Sequence, residues 1–214
     1  MGYDLRAVIG GAELVRGVVR DLGAGAAPDP ACGLARGLTD GPAYGLAYGL
    51  AHELGQGLAL LPMTDELFDA VTNGDTGCAW GFFFLPGGFG ARLARWSAAG
   101  AGGAAAGPLA YVEADFFGGV GEQHAAVWQG GDLALGPLHM GVDEPFDADG
   151  SPISQALRHL GAVAGDAYDE FAAVGLRRHR RTGDWAEAAA QAAGATGAAG
   201  GAGGVNFGSP ASGG

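Results

Sequence analysis

Lysine is absent from this chain, isoleucine occurs only at Ile9 and Ile153, and cysteine only at Cys32 and Cys78. Without lysine no G-K-[ST] phosphate loop can be written, and no G-x-S-x-G nucleophile elbow occurs either. Two cysteines allow at most one bridge, which excludes a disulfide scaffold, and both are expected to be reduced thiols. Long apolar runs are missing as well. The longest stretch, Pro42 to Pro62, is broken by His52, Glu53 and Gln56, so no membrane span is expected. Asp4 and Arg6 fall where a secretory leader would have a basic start and an apolar run, so a cytoplasmic location is expected. Positive charge is scarce, with 11 arginines against 23 acidic residues and a net charge of -12. A surface of that sign disfavours nonspecific nucleic-acid binding, and no nucleic-acid partner is expected.

What is abundant is glycine and alanine. The 44 glycines have no three-residue period, which excludes collagen, and the excess of Gly, Ala and Arg reads as a high-GC coding bias. The 214 residues suit one domain of ordinary size, and a hydrophobic fraction of 48% can supply its core. From Ala186 onward the chain is Ala and Gly with Ser and Pro, and Glu187 is its only charge. This composition predicts a disordered tail over 186–214 behind a single domain over 1–185.

Within the domain, Leu5 to Ile9 reads as a strand, followed by a helix with Leu14, Val15, Val18, Val19 and Leu22 on one face. Gly23 to Gly41 reads as a long irregular connection. The quasi-repeat from Tyr44 to Ala59 puts Leu46, Leu50, Leu54 and Leu58 at helical spacing, which predicts a helix in its first half and a strand over Gly57 to Leu61. Thr64 fits an N-cap for a helix to about Val71. The aromatic run from Ala79 to Leu85 predicts a central strand, and Phe89, Leu93 and Trp96 a helix after it. Leu109 to Phe117, Glu122 to Gln129 and Asp132 to Leu138 form an expected meander, with Gly130-Gly131 as a hairpin turn. Ser151-Pro152 starts another helix, and Asp166 is placed as the cap of a last one carrying Tyr168, Phe171 and Val174. The fold class expected is α+β, a mixed sheet with an antiparallel meander at about 109–138 flanked by helices.

Most motif-like strings fail on chemistry. His52-Glu53-Leu54-Gly55-Gln56 lacks the second histidine of a zinc-protease helix, since Gln56 stands in its place. The acidic loop from Asp143 to Gly150, with Asp147 and Asp149, would put Pro145 and Ala156 at obligatory calcium ligands. Gly87-Gly88-Phe89-Gly90 opens a helix, but Leu93 replaces the last glycine of a dinucleotide loop. Cys78 reads as a small buried hydrophobe, and Arg177 to Arg181 as the cationic end of a helix. No cofactor and no metal ion is therefore expected.

The informative stretch is YVEADFFGGVGEQHAAVW, from Tyr111 to Trp128. Strand alternation puts Tyr111, Glu113 and Asp115 on one face, with Gly118, Gly119 and Gly121 allowing the chain to turn so that Glu122, Gln123 and His124 return beside them. These nine residues are the candidate binding residues; no catalytic residue is assigned. With GSPISQALRHLG, DEFAAVGLRRHRRTGDW and the earlier LLPMTDELFDAV, this stretch resembles an uncharacterised group of small acidic bacterial proteins of actinobacterial type, some of them similar to immunity proteins. The resemblance implies a binding protein and carries over no catalytic residue. The leading expectation is an acidic protein-binding domain, monomeric or weakly dimeric, that inhibits a basic toxin or enzyme in the manner of an immunity protein. The alternative is a small enzyme or ligand-binding domain using Glu113, Asp115, Glu122 and His124. A flat exposed acidic face favours the first; a concave pocket with shifted ionisation favours the second.

Overall fold

The computed structural model describes residues 2–24, 51–72, 81–118, 120–142, 144 and 148–199, with side chains described as far as residue 192. Strand β1 (Gly2–Gly11) runs into helix α1 (Ala12–Ala24). Short strand β2 (His52–Glu53) and strand β3 (Leu58–Pro62) lead to α2 (Asp65–Val71), capped by the Thr64 hydroxyl as its sequence suggests. Helix α3 (Phe89–Ala99) precedes the meander of β4 (Leu109–Phe117), β5 (Val120–Gln129) and β6 (Asp132–Met140). Helices α4 (Pro152–His159), α5 (Glu170–Ala173) and α6 (Thr182–Ala199) follow, with a 3-10 turn at Leu176–Arg178.

The six strands lie in the order β2-β3-β1-β4-β5-β6, and every pairing between them is antiparallel. The fold is α+β with helices on both sides of the sheet, and the sheet is antiparallel throughout rather than mixed. One apolar cluster joins Val8, Leu61, Tyr111, Ala126 and Trp128 of the sheet to α1, α2 and α3. The other joins Ile9, Leu60, Val112, Ala125 and Val127 to Ile153, Leu157 and Trp185. Central strands β1 and β4 are thus buried on both faces over Ala7 to Ile9 and Leu109 to Val112, and there their sequences are continuous apolar runs. The indole N–H of Trp96 donates to Asp21 at 2.7 Å, so this large buried ring keeps a polar partner and ties α3 to α1.

Several sequence expectations change. Within the run read as a central strand, residues 81–85 form no strand, and 79–80 lie outside the described residues. Its Phe82 and Leu85 plug the first apolar cluster while its backbone bonds to a side chain instead of a neighbouring strand, as described below. The helix expected in the first half of the quasi-repeat falls almost wholly on 44–50, outside the described residues, and the strand expected over Gly57 to Leu61 is found as β3. Asp169, not Asp166, caps the helix after it, accepting from the Ala172 N–H at 2.8 Å, and Tyr168 is exposed. Helix α6 runs past the expected boundary at residue 185 to Ala199, with Trp185 and Ala189 buried. Alanine supplies helix propensity where it supplies little apolar area, and composition alone does not separate the two. Gly25 to Gly41, Cys32, Cys78 and 200–214 lie outside the described residues.

Candidate functional site

The pairing register decides which polar side chains meet. Arg6 of β1 lies opposite Glu113 of β4, Glu113 opposite His124 of β5, and His124 opposite His139 of β6. One step along the same face, Asp4 is opposite Asp115 and Asp115 opposite Glu122. These two rows continue the face whose apolar part, Val8, Tyr111 and Ala126, belongs to the core under α1 to α3. Where the helices stop covering the sheet, the face becomes ionisable.

Phe82 to Phe84 roof this polar end. Both carboxylate oxygens of Glu113 accept backbone N–H groups from the roof, that of Phe83 at 2.8 Å and that of Phe84 at 2.7 Å. The Tyr111 hydroxyl donates to the Phe84 carbonyl at 2.5 Å. The Arg6 guanidinium lies 3.8 Å over the Phe84 ring and pairs with Asp65 at 3.1 Å. Glu113 is only 4% exposed, and its burial pushes the carboxyl up from its ordinary range against the pull of those N–H groups and Arg6. His124 is 6% exposed, between the rings of Phe82 and Phe83 and the imidazole of His139, which stacks on it at 4.4 Å. Burial and the neighbouring His139 pull its pKa down to about 4, so it is neutral at pH 7.

The resulting cavity, of about 370 Å³, is lined by Asp4, Arg6, Asp115, Glu122, Glu113 and His124 under Phe83 and Phe84. Four carboxylates face one guanidinium there. A larger cavity of about 720 Å³ lies on the opposite face, around Tyr3, Phe116 and Phe171. Its three arginines, Arg158, Arg177 and Arg180, are matched by Asp149, Asp169 and Glu170, with Arg158 paired to Glu170 at 3.1 Å and Arg177 to Asp169 at 3.8 Å. The smaller cavity is therefore the better candidate, since its charge is not balanced from within.

Of the nine candidate residues, Glu113, Asp115, Glu122 and His124 come together in this cavity. Tyr111 is fully buried and braces the roof. Gln123 points to the other face, as alternation demands, and accepts from the Ile153 N–H at 3.3 Å. Gly118 forms the turn at φ 67°, and Gly119 lies outside the described residues. Gly121 serves a different purpose from turning: a Cβ there would sit 2.1 Å from the Asp115 carbonyl oxygen, so only glycine lets β5 pass this close to β4.

Sequence reasoning missed Asp4, Arg6, the phenylalanine roof and His139. Alternation marks Asp4 and Arg6 as one face of β1, but nothing local places β1 beside β4. Counting back from the Gly130-Gly131 turn, where Gln129 faces Asp132 and Trp128 faces Leu133, would bring Pro137 opposite His124. Register shifts between Trp128, Val127 and Ala125 put two more residues into β6 and bring His139 there instead.

The rejected motifs are structural. His52 lies in a strand, its ring 5.0 Å from Trp185 and 5.8 Å from His179. Gln56 exchanges two hydrogen bonds with the Val163 backbone, at 2.8 and 2.9 Å. In the arginine run, Arg178 donates to the Glu53 carbonyl at 2.7 Å, and the Arg180 carbonyl accepts from the Asp4 N–H at 2.8 Å. Arg158 bonds the carbonyl of Asp149, and Asp147 lies outside the described residues. Comparison of the chain with protein families, with curated proteins and with solved structures gives no match, so the site's own chemistry carries the functional reading.

Proposed function

We propose that this chain is a ligand-binding domain that takes a small positively charged ligand into the cavity beneath Phe83 and Phe84. The observation that carries this reading is the convergence of Asp4, Glu113, Asp115 and Glu122 on one concave site where, among the described residues that line it, only Arg6 is cationic. Carboxylates facing one another across strands repel, and a bound cation relieves that repulsion. Phe83 is 52% exposed and Phe84 42%, which leaves aromatic surface at the mouth for an organic cation to lie on. The overall charge of -12 adds long-range attraction for such a ligand. An acidic face for a basic protein partner, as an immunity-like inhibitor would use, calls for exposed carboxylates; Asp115 is exposed and the Asp4 side chain half-exposed, but Glu113 and His124 are buried behind them, and that depth supports a pocket.

Isothermal titration with benzylammonium, and with benzoate as the charge-inverted control, tests the proposal. Saturable binding of benzylammonium alone, weakened in Asp115→Asn and Glu122→Gln, is the expected result. Equal responses to both probes, or no response in the folded protein, would refute it.

A further inference from the structure

Resting on the reading of this cavity as a cation site, we infer that a divalent transition-metal ion is held at its β6 side by Glu122 and His124 of the lining together with the adjacent His139. One ligand atom from each of the three lies within 4.8 Å of the others. A Glu122 carboxylate oxygen is 3.9 Å from Nε2 of His124 and 3.8 Å from Nε2 of His139. Donors around a tetrahedral ion with bonds of about 2.0–2.1 Å stand about 3.4 Å apart, so Glu122 reaches that spacing from each imidazole by a movement of about half an ångström. Both Nε2 atoms lie near the same Glu122 oxygen, and the half-exposed His139 ring, stacked on His124, can turn to make them converge.

A second observation points the same way. Nε2 of His124 is buried and has no hydrogen-bond partner among the described residues, although it faces Glu122. An orphaned buried nitrogen has a cost, and a metal ion removes it by taking the lone pair. Two imidazoles and one carboxylate suit zinc, iron(II), manganese(II) or cobalt(II) better than calcium or magnesium, which prefer oxygen alone. Three protein donors leave at least one coordination position for water or a ligand atom, as in sites where a metal acts on a ligand rather than merely bracing the fold. The sequence hides this set because its third member sits beyond the two-residue register shift.

The test is titration of the chelator-treated full-length protein with cobalt(II), read by its visible d–d absorption, followed by displacement with zinc. One equivalent is expected. His139→Gln and Glu122→Gln should each weaken cobalt binding about 100-fold or more, since loss of even an outer-shell partner costs 10–100-fold. His159→Gln, on a histidine that bonds Gln129 outside the cluster, should leave it unchanged. His139 and Glu122 are partly exposed, and thermal melts verify that both variants fold. Absence of binding by the folded wild type, or binding that survives either cluster variant undiminished, overturns the inference. Benzylammonium titration of the same samples separates the two ideas: if it binds and cobalt does not, the metal falls and the pocket stands; if neither binds, both fall.

Discussion

Replacing Glu113 tests whether one buried carboxylate holds the roof over the site. Its two oxygens accept the N–H groups of Phe83 and Phe84 at 2.8 and 2.7 Å. Hydrogen bonds to a charged group contribute about 1.5–3 kcal/mol each, a gross of about 3–6 kcal/mol. Burial opposes ionisation strongly enough to raise the carboxyl pKa, so part of that gain is already spent on desolvation. The expected net loss in Glu113→Ala is about 2–4 kcal/mol, because the two backbone donors lose their partner. In Glu113→Gln it is about 1–2 kcal/mol, since the amide keeps one acceptor but turns a donor towards the other N–H. Urea melts followed by tryptophan fluorescence give the magnitudes, and amide exchange at Phe83 and Phe84 reports the roof directly. A carboxyl whose folded pKa is raised contributes stability that is full below its ordinary value of 4.5 and declines as pH rises through the folded value. The cost of the Gln variant should therefore be larger near pH 4 than near pH 7. A loss below about 1 kcal/mol in Glu113→Ala, with exchange at both amides unchanged, would refute the bracing argument.

Other outcomes follow from the same geometry. Gly121→Ala should disrupt the β4–β5 pairing, because its Cβ meets the Asp115 carbonyl oxygen at 2.1 Å; the melting temperature and benzylammonium binding should fall together. A chain ending at Trp185 should melt at least about 3 °C lower than the full chain, because α6 seats that fully buried ring and Ala189 against the sheet. His52 is held below its ordinary pKa of 6.5 by burial, and then by Arg178 and His179. The unfolded chain takes up that proton first, so stability is full above about pH 6.5 and is lost as pH falls towards the folded value. Melting temperatures across that range should fall less steeply in His52→Phe.

The parts of this fold legible in the sequence are those set by local rules. The Thr64 and Ser151 caps, the stripe on α1 and the Gly130-Gly131 turn depend on residues a few positions apart, and all four are found. The two faces of β4 follow from alternation alone, which places Glu113 and Asp115 on one face with Tyr111. What escaped depends on long-range pairing. Residues 81–85 have strand composition, yet the Glu113 side chain satisfies two of their amides, and no short-range signal announces that. Asp4 and Arg6 join the site only because β1 pairs with β4, more than a hundred residues away.

The extra residues in β6 bear on how this chain can change length. Side chains on a strand alternate, so the face a residue occupies is a matter of parity, and an insertion of two preserves it. Counted from the hairpin turn, His139 reaches its place because β6 carries an even surplus. Removing one residue between the turn and His139 would bring Met140 opposite His124, and adding one would bring Leu138 there. Substitutions in Leu133 to Leu138 alter packing, whereas any odd change in length removes an imidazole from the site at one stroke. This segment is therefore constrained in its count more tightly than in its composition, and a related chain would be recognised there by the spacing between its two histidines.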